Sequence, residues 1–474
     1  MLGLFGTLNL GTRSLQTQQA GVEVTGQNLA NVNNPAYARQ RIQIQTSLAI
    51  PSEHGPVGTG AEAIGVEQLR NGLIDAQIRS EQSVGGYWLA QQSGLSNLQL
   101  RLSEYLDRGA GSVNGSSDPS SPGSLGLSSA LTNLFNSFQA VSASPASLPH
   151  KQALISSAET LAKRFNEVAA GIGGVRDVLN TAIAGDVNSA NALLGDIATL
   201  NDQIARAEMP AGGTANDLRD LRQQKLESLA KLVDFDTATA SDGSLTVSIG
   251  GTEFVSGKHV TDRLATFGRT GEFNGPDEIV VVSAKTQAVL GIQGGSIAGS
   301  IGMRDGSLEK LQEDLDTFAS ALIDEVNALH SSGPSGLDFF TGNSAATIGV
   351  NATLRDDPSQ FQSSGSGASG DNSIALALAQ LGGQKLGALG NLTLSDFFGK
   401  VTASVGHALS DATTQVTNFE TISNALLRQR DAISGVSIDE EMTNLLTYQK
   451  AYQASAKIVS TVDEMLDIII NLKR

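Results

Sequence analysis

The sequence predicts a mainly α protein with an inserted β domain: terminal helices that form a coiled coil, a bundle of long helices, and a small outer β domain. Apolar residues recur at spacings of three and four along most of the 474 residues, which is typical of packed helices. Between residues 234 and 300 the period changes to an alternation typical of strands. Aromatic residues make up only 4% of the chain, which favours helices packed through small aliphatic side chains.

The long-helix bundle is predicted from three narrow apolar stripes of the kind found in coiled-coil seams. The first stripe comprises Leu154, Ala158, Leu161, Phe165, Val168, Ile172, Val175 and Leu179, and Leu193, Ile197, Leu200 and Ile204 repeat it. The second comprises Leu308, Leu311, Leu315, Phe318, Leu322, Val326 and Leu329, and the third Val401, Val405, Ala408, Ala412, Phe419, Ile422 and Leu426. A Met-Pro-Ala-Gly-Gly break at 209–213 predicts that the preceding helix and a helix over 218–233 form an antiparallel pair.

The inserted β domain is predicted from turn signals and alternation. Asp242-Gly243 marks a turn, and the apolar residues of 245–249 then alternate with polar ones. Gly250-Gly251 leads into a second apolar segment at 253–255, so the two segments are predicted to form a β-hairpin. Residues 279–282 are a further strand candidate, whereas the Gly/Ser-rich stretches 109–128 and 363–373 are expected to be mobile surface loops.

Each end of the chain carries a helix with a narrow apolar row. The N-terminal row repeats every seven residues as Leu8, Leu15, Val22 and Leu29, beside a weaker row of Leu4, Gly11, Gln18 and Thr25. The C-terminal row comprises Leu445, Tyr448, Tyr452, Ser455, Val459, Val462, Leu466 and Ile469. Because a lone helix with such a seam is marginal in water, we expect the two helices to pair with each other. The alternative, that both ends pack onto the body of the chain, remains open at this stage.

These patterns divide the chain into three predicted domains. A terminal coiled-coil domain comprises residues 1–34 plus 437–474, a helical rod-like domain 35–233 plus 301–436, and an outer β domain 234–300. The first helix is expected to end near Asn31, because Pro35 excludes Asn34 from the helical region. Residues 1–38 contain only two charged side chains, Arg13 and Glu23, so the outer face of this helix is expected to meet other molecules.

The composition argues against several classes of function. The net charge of −17 and the few aromatics predict no binding to nucleic acid or to anionic lipid, and no apolar run is long enough to cross a membrane. The chain has no cysteine, and its five histidines lack metal-ligand spacing, so surface or capping roles are expected for them. Ser437 and the acidic run 439–441 resemble a helix N-cap with Glu440 as capping-box partner. No catalytic, cofactor-binding or metal site is therefore predicted.

Residues 28–40, Asn-Leu-Ala-Asn-Val-Asn-Asn-Pro-Ala-Tyr-Ala-Arg-Gln, resemble the N-terminal signature of bacterial flagellar axial proteins, a family of rod, hook and junction subunits. Residues 438–459 resemble the C-terminal signature of that family. Internal motifs, among them Asp-Leu-Arg-Asp-Leu-Arg at 217–222 and Arg-Asp-Gly at 304–306, are similar to the members at the hook–filament junction. One departure is Ala36, where the family commonly has glycine, so the turn after the first helix is expected to differ in shape.

The resemblance implies a structural subunit without enzymatic activity, located outside the cell at the hook–filament junction of the flagellum. It implies export in an unfolded state through the flagellar type III channel, with terminal segments that become ordered on assembly. The implied partners are further copies of the chain in a ring, the hook protein, the second hook–filament junction protein, and an export chaperone on the C-terminal helix. The residues expected to serve assembly are Leu8, Leu15, Val22, Asn28, Leu29, Asn31, Pro35, Tyr37, Leu445, Tyr448, Tyr452, Val459, Val462, Leu466 and Ile469.

Three alternatives remain open at the level of sequence. The chain could be another flagellar axial protein, such as a hook or flagellin-like subunit, although the internal motifs argue against this. A secreted enzyme in the insert would need paired carboxylates at the mouth of a pocket. The available carboxylates are Asp242, Glu253, Asp262, Glu272, Asp277 and Glu278. A helical adhesin is the third alternative.

Overall fold

The computed structural model describes residues 3–51, 55–105, 126–209, 213–240, 242–269, 278–368 and 370–471. The longer helices are α1 (Leu4–Ala30), α2 (Gly72–Tyr105), α3 (Leu127–Ala143), α4 (Leu148–Glu208), α5 (Asn216–Ala230), α6 (Gly295–Gly302), α7 (Glu309–His330), α8 (Ala352–Asp356), α9 (Ser373–Leu381), α10 (Leu394–Ser434) and α11 (Ile438–Asn471). The strands are β1 (Gln40–Thr46), β2 (Ala61–Gln68), β3 (Asp236–Thr239), β4 (Leu245–Ile249), β5 (Thr252–Ser256), β6 (His259–Val260), β7 (Leu264–Arg269), β8 (Glu278–Ser283), β9 (Phe340–Thr341) and β10 (Gly349–Val350).

Helix α4 runs for 61 residues through the centre of the molecule. It has proline in its first turn and ends one residue before the Met-Pro break, as the sequence predicts. Every residue of its first predicted stripe, from Leu154 to Leu179, is buried, and the stripe packs against α3, α7 and α9 in one hydrophobic core. The prediction of a long-helix bundle is thus confirmed.

Helices α4 and α5 form the predicted antiparallel pair around the break. Near the turn, Glu208 accepts hydrogen bonds from Arg219 Nε at 2.7 Å and Nη2 at 2.9 Å. Farther along, Arg222 Nη1 donates to Asn201 Oδ1 at 2.8 Å. These bidentate and charge-assisted contacts fix the register of the two helices.

The β domain lies against the second half of α4. Four antiparallel strands in the order β3-β4-β5-β6 form one sheet, and β7 pairs with β8 in a separate hairpin. The inward side chains of β4 and β5, such as Val247 and Phe254, are fully buried in a core shared with α4. Gly250 and Gly251 have positive φ angles of 54° and 79°, so the predicted turn between β4 and β5 is present.

Two features of this region differ from the sequence-based expectation. Residues 295–302 form helix α6, although the prediction assigned those up to 300 to the β domain, and a π-helical segment from Met303 to Leu308 joins it to α7. The buried Arg304 on this segment donates to Asn180 Oδ1 at 2.9 Å and to the carbonyl of Ile279 at 2.7 Å. This side chain therefore ties the β7–β8 hairpin to α4, a tertiary role that no local pattern indicates.

Residues 40–68 also differ from the prediction, which placed them in the helical rod-like domain. Residues 40–46 and 61–68 pair as the antiparallel strands β1 and β2, and this β1–β2 hairpin packs on α1 through a hydrogen bond from Thr17 Oγ1 to the carbonyl of Ala61 at 3.1 Å. The signal was present in the alternation of Ile42 and Ile44 with polar residues.

The two low-complexity stretches have different outcomes. Residues 109–125 of the first stretch lie outside the described residues. In the second, Asp371 accepts hydrogen bonds from the hydroxyls of Ser364 at 2.7 Å and Ser366 at 2.8 Å, and from the backbone N–H of Ser373 at 2.9 Å. These bonds join residues 364–366 to residues 371–373, just before and at the start of α9.

His330 is fully buried, whereas the sequence suggested a surface or capping role. Its Nδ1 lies 2.7 Å from the carbonyl of Leu337, and its Nε2 accepts from the N–H of Gln362 at 3.1 Å. This arrangement requires the neutral ring with the proton on Nδ1. Burial against Phe339 and Phe361 lowers the pKa of His330, because the charged form is poorly solvated there.

We expect His330 to make the stability of the body fall on acidification. Its folded-state pKa is below the unfolded value of about 6.5, so the stabilisation is fully present above that pH and is lost as the pH falls below it. The His330→Gln variant should be less stable than the wild type at pH 7, by about 1–3 kcal/mol. It should also lack this part of the pH dependence, as measured by chemical denaturation between pH 7.5 and 5. His407 is exposed, so His407→Gln should show the same dependence of unfolding free energy on pH as the wild type. If this dependence were the same in all three proteins, His330 would not be its cause.

Candidate assembly interface of the terminal helices

Helices α1 and α11 lie side by side in antiparallel orientation and approach each other closely. A Cβ atom built on Gly11 would lie 2.7 Å from Val459 Cγ2, and one built on Gly21 would lie 2.7 Å from the ring of Tyr448. Between these two points, the hydroxyls of Ser14 and Ser455 are hydrogen-bonded at 2.7 Å. The closest part of the interface is therefore made by two glycines of α1 against Val459 and Tyr448 of α11, with a serine pair between them.

The structure places the predicted N-terminal row at the flank of this contact. Leu8, Leu15, Val22 and Leu29 are all half-buried. The fully buried positions of α1 are Gly11, Thr17, Gly21, Val24, Thr25 and Asn28. Two of these, Gly11 and Thr25, belong to the row that the sequence analysis ranked as weaker. Hydrophobicity in the sequence identifies the apolar face of a helix. The positions where two helices approach most closely are instead occupied by small residues.

The predicted C-terminal row is covered to different degrees. Val462 and Ser455 are buried, and Leu445, Tyr448, Val459 and Leu466 are half-buried. Tyr452 and Ile469, in contrast, are 41% and 53% exposed. Further exposed apolar side chains of this helix are Ile438, Met442, Leu446, Ile458, Met465, Ile468 and Ile470. Pairing with α1 thus leaves a substantial apolar surface of α11 uncovered.

Asn28 closes the base of the helix pair with a saturated set of hydrogen bonds. Its Nδ2 donates to the carbonyl of Gln40 at 2.8 Å and to Glu441 Oε2 at 3.0 Å. Its Oδ1 accepts from the N–H of Gln40 at 2.9 Å and from the hydroxyl of Tyr37 at 2.8 Å. One buried amide therefore joins α1, β1 and α11, which explains why this residue type is needed here.

Glu441 is a buried residue of the helix pair that the sequence analysis did not identify. Ser437 Oγ accepts from the N–H of Glu440 at 3.5 Å, at the long end for a helix cap. Glu441, however, is only 2% exposed and lies 2.7 Å from Arg39, which also contacts the exposed Glu440 at 2.7 Å. The partners are separated by about four hundred residues, so no local spacing indicates the ion pair.

The turn after α1 accommodates Ala36 without strain. Helix α1 ends at Ala30, as predicted, and Asn31 Nδ2 donates back to the carbonyl of Gln27 at 3.0 Å. After Pro35, the N–H of Ala36 is held by Asn34 Oδ1 at 3.1 Å. Among the described non-glycine residues only Gln287 and Asn391 have positive φ, so this turn does not require glycine.

The segment after this turn joins the helix pair to the body through Asp220 on α5. Asp220 accepts from the N–H of Ala38 at 3.1 Å and from Gln68 Nε2 at 2.6 Å, and it lies 3.1 Å from Arg70. Burial raises the pKa of Asp220 to about 6. Burial and the nearby carboxylates also raise the pKa of Tyr37, so its hydroxyl stays protonated and can donate to Asn28.

The insert shows no pair of carboxylates arranged for catalysis among the described residues. Asp242 accepts from the N–H and hydroxyl of Ser244 in a turn, and Asp262 accepts from Ser283 and from the backbone. Glu272 and Asp277 lie outside the described residues. Within the described ranges, no group of three potential metal ligands occurs and no helix is long and apolar enough to cross a membrane.

Comparison with known proteins shows what the chain is similar to. A family model described as the helical domain of flagellar hook-associated protein FlgK matches residues 120–340, and one described as the C-terminal region of flagellar basal body rod proteins FlgE, FlgF and FlgG matches 429–472. Flagellar hook-associated protein 1 of Bacillus subtilis is 27% identical, with 99% of each chain covered, and that of Salmonella typhimurium is 24% identical, with 98% of this chain and 99% of its own covered. The chain therefore resembles flagellar hook-associated protein 1 over nearly its whole length. The resemblance noted in the sequence is thereby confirmed.

A solved structure shows a similar fold. The flagellar hook junction protein FlgK of Burkholderia pseudomallei matches with a TM-score of 0.61 at 15% identity. The match covers 76% of this chain and all of that one. The predicted fold class, with long helices and an inserted β region, agrees with this likeness.

We predict that Gly21→Ala loosens the terminal helix pair. The new methyl group would collide with the ring of Tyr448, and overpacking of this kind costs about 1–3 kcal/mol. Gly26 is the matched control, because it lies in the same helix with nothing within 4 Å of its Cβ position. Gly26→Ala should stabilise α1 by up to about 1 kcal/mol. Hydrogen exchange of α1 amides, measured on the assembled full chain, should be faster in Gly21→Ala and slower in Gly26→Ala; equal rates in both variants would contradict the close contact.

We also predict that Glu441→Gln weakens the pair far more than Glu440→Gln. The first substitution removes the buried partner of Arg39 and should destabilise by about 1–3 kcal/mol, whereas the second removes an exposed one and should change stability by less than about 1 kcal/mol. Both variants have the same charge. Protease resistance of the 30–40 segment in the assembled full chain distinguishes them, and equal sensitivity there would show that Glu441 does not hold the base of the pair.

Proposed function

We propose that this chain is a non-enzymatic structural subunit of the extracellular flagellum, where a ring of copies links the hook to the filament. The observation that carries the proposal is the terminal helix pair, whose α11 leaves apolar side chains such as Tyr452 and Ile469 exposed. Similarity to flagellar hook-associated protein 1 and likeness to a protein named a hook junction protein support the same role.

The exposed apolar side chains of α11 lie on more than one side of the helix, which favours contact with several neighbouring subunits rather than one. Near its start, Met442 and Leu446 are exposed on one side of the helix, and near its end Ile458 and Met465 are exposed on a different side. Apolar patches of this kind mark protein contacts. We assign them to adjacent copies, to the hook protein and to the second junction protein.

Export through the type III channel fits the nature of the α1–α11 contact. Its closest part sets glycines of α1 against Val459 and Tyr448 of α11, so separating the two helices there exposes apolar surface mainly of these two side chains. We therefore propose that both ends are ordered only on assembly, and that an export chaperone covers α11 beforehand. The absence of cysteine also means that no disulfide blocks unfolding before passage.

The junction role is preferred to that of a hook subunit. A hook protein of Caulobacter vibrioides, named FlgE, is 49% identical over only 41 residues, or 9% of this chain. The hook-associated relatives match over 98–99% of it.

We expect a strain that lacks this chain to build hooks and to release filament subunits into the medium. Complementation with the wild type should restore swimming, whereas Tyr452→Asp and Ile469→Asp should not, because each places a charge on a surface that assembly would bury. Val289→Asp is the matched control, since Val289 is an exposed apolar residue of the insert. Electron microscopy of the hooks and assay of secreted subunits provide the readouts. A hookless strain, or full motility of both α11 variants, would contradict the proposal.

A further inference from the structure

A cleft of about 250 Å³ lies where the start of α2 meets α5 and the first strands of the β domain. We call it the arginine cleft, because four arginines line it against a single carboxylate, that of Asp75. The four are Arg70, Arg79, Arg219 and Arg222. Such a concentration is unusual in a chain with 31 basic and 48 acidic residues. The cleft is separate from the α1–α11 interface.

Two of the four arginines are neutralised by carboxylates of this chain. Arg219 forms a bidentate pair with Glu208. Arg70 lies 3.1 Å from Asp220 and 3.6 Å from Asp75. These two guanidinium groups therefore need no further counter-charge.

The other two arginines contact neutral oxygens only. Arg79 Nη1 donates to the amide oxygen of Gln223 at 3.0 Å, and Arg222 Nη1 donates to Asn201 Oδ1 and to the carbonyl of Gly243, both at 2.8 Å. Neither has a carboxylate of the described residues within 4.0 Å, although Arg222 is only 6% exposed. A guanidinium removed from water without a counter-charge is costly.

The pKa values agree with this geometry. Burial lowers the pKa of Arg222 to about 10, with a further contribution from the charge of Arg219. Burial also lowers the pKa of Arg79, and the negative charges of Asp75 and Glu227 offset this decrease only in part. A bound anion would reverse both effects.

We propose that the arginine cleft binds a small oxyanion, that is, a carboxylate or phosphate group, through Arg79 and Arg222. The planar guanidinium presents paired donors that match two oxygens of such a group. Thr237 and Thr239 line the same cleft, and their hydroxyls provide further donors. The anion has two possible sources: an acidic side chain of a neighbouring copy, or free phosphate.

The test uses the purified full chain and inorganic phosphate, with ionic strength held constant by sodium chloride. Calorimetric titration should show saturable phosphate binding to the wild type, and Arg79→Gln should weaken it tenfold or more. Arg206→Gln is the control, because it removes the same charge from an exposed position on α4. Binding that is equal in the wild type and Arg79→Gln, or no greater than with chloride, would overturn the proposal.

A second measurement avoids any variant that folds poorly. Phenylglyoxal modifies accessible arginines, and mass spectrometry of the wild type reports the rate at each position. Phosphate should protect the partly exposed Arg79 but not Arg206. Equal protection of both, or of neither, would count against the cleft.

Sedimentation of the concentrated full chain distinguishes the two sources. If an acidic side chain of a second copy occupies the cleft, phosphate and Arg79→Gln should each reduce self-association. If the ligand is free phosphate, both should leave self-association unchanged while the calorimetric binding remains. Either result supports the oxyanion site and identifies its source. Failure of these tests leaves the junction role untouched, because the junction role depends on α11.

Discussion

The close approach of α1 and α11 is the constraint on which the architecture of the chain ends depends. Gly11 and Gly21 let Val459 and the ring of Tyr448 reach the backbone of α1, and any larger residue would separate the helices. Once the two axes are this close, the larger apolar side chains cannot point at each other. They lie at the flanks, half-buried on α1 and partly exposed on α11. The geometry that joins the two ends therefore also presents apolar surface to neighbours.

A contact of this type supplies specificity more than stability. Hydrophobic stabilisation grows with the apolar area removed from water, and glycines and serines contribute little. The register is fixed instead by buried polar groups, above all Asn28 and Glu441, because a shift of either helix would leave an amide or a carboxylate buried without its partners. A pair held in this way is well defined when formed and separable when not, which suits a chain whose ends are proposed to order late.

The sequence predicts the parts of the fold in which one physical rule dominates. The stripe from Leu154 to Leu179 is a single buried face of α4, and the alternation of 245–249 becomes β4, because burial alone determines both. The β1–β2 hairpin carried a similar but shorter signal, which was missed beside the helical periodicity of its surroundings. In the candidate interface, the sequence predicts the apolar rows of both terminal helices but not the glycines and the ion pair at the centre and base of their contact. Glycine has no hydrophobic signal, and the pairing of Arg39 with Glu441 joins residues that are distant in sequence.

The body of the chain and its link to the helix pair are held by different kinds of contact. The body is held by a continuous apolar core along α4, whereas the segment after α1 reaches it through polar contacts centred on Asp220. Polar contacts of this kind are directional, so they set the angle at which the helix pair leaves the body. Their strength also depends on charge, since Asp220 is buried and its pKa lies near 6. The orientation of the terminal pair is thus set by a few charged groups on α5, and the residues that couple the ends to the body are distinct from those that hold either part together.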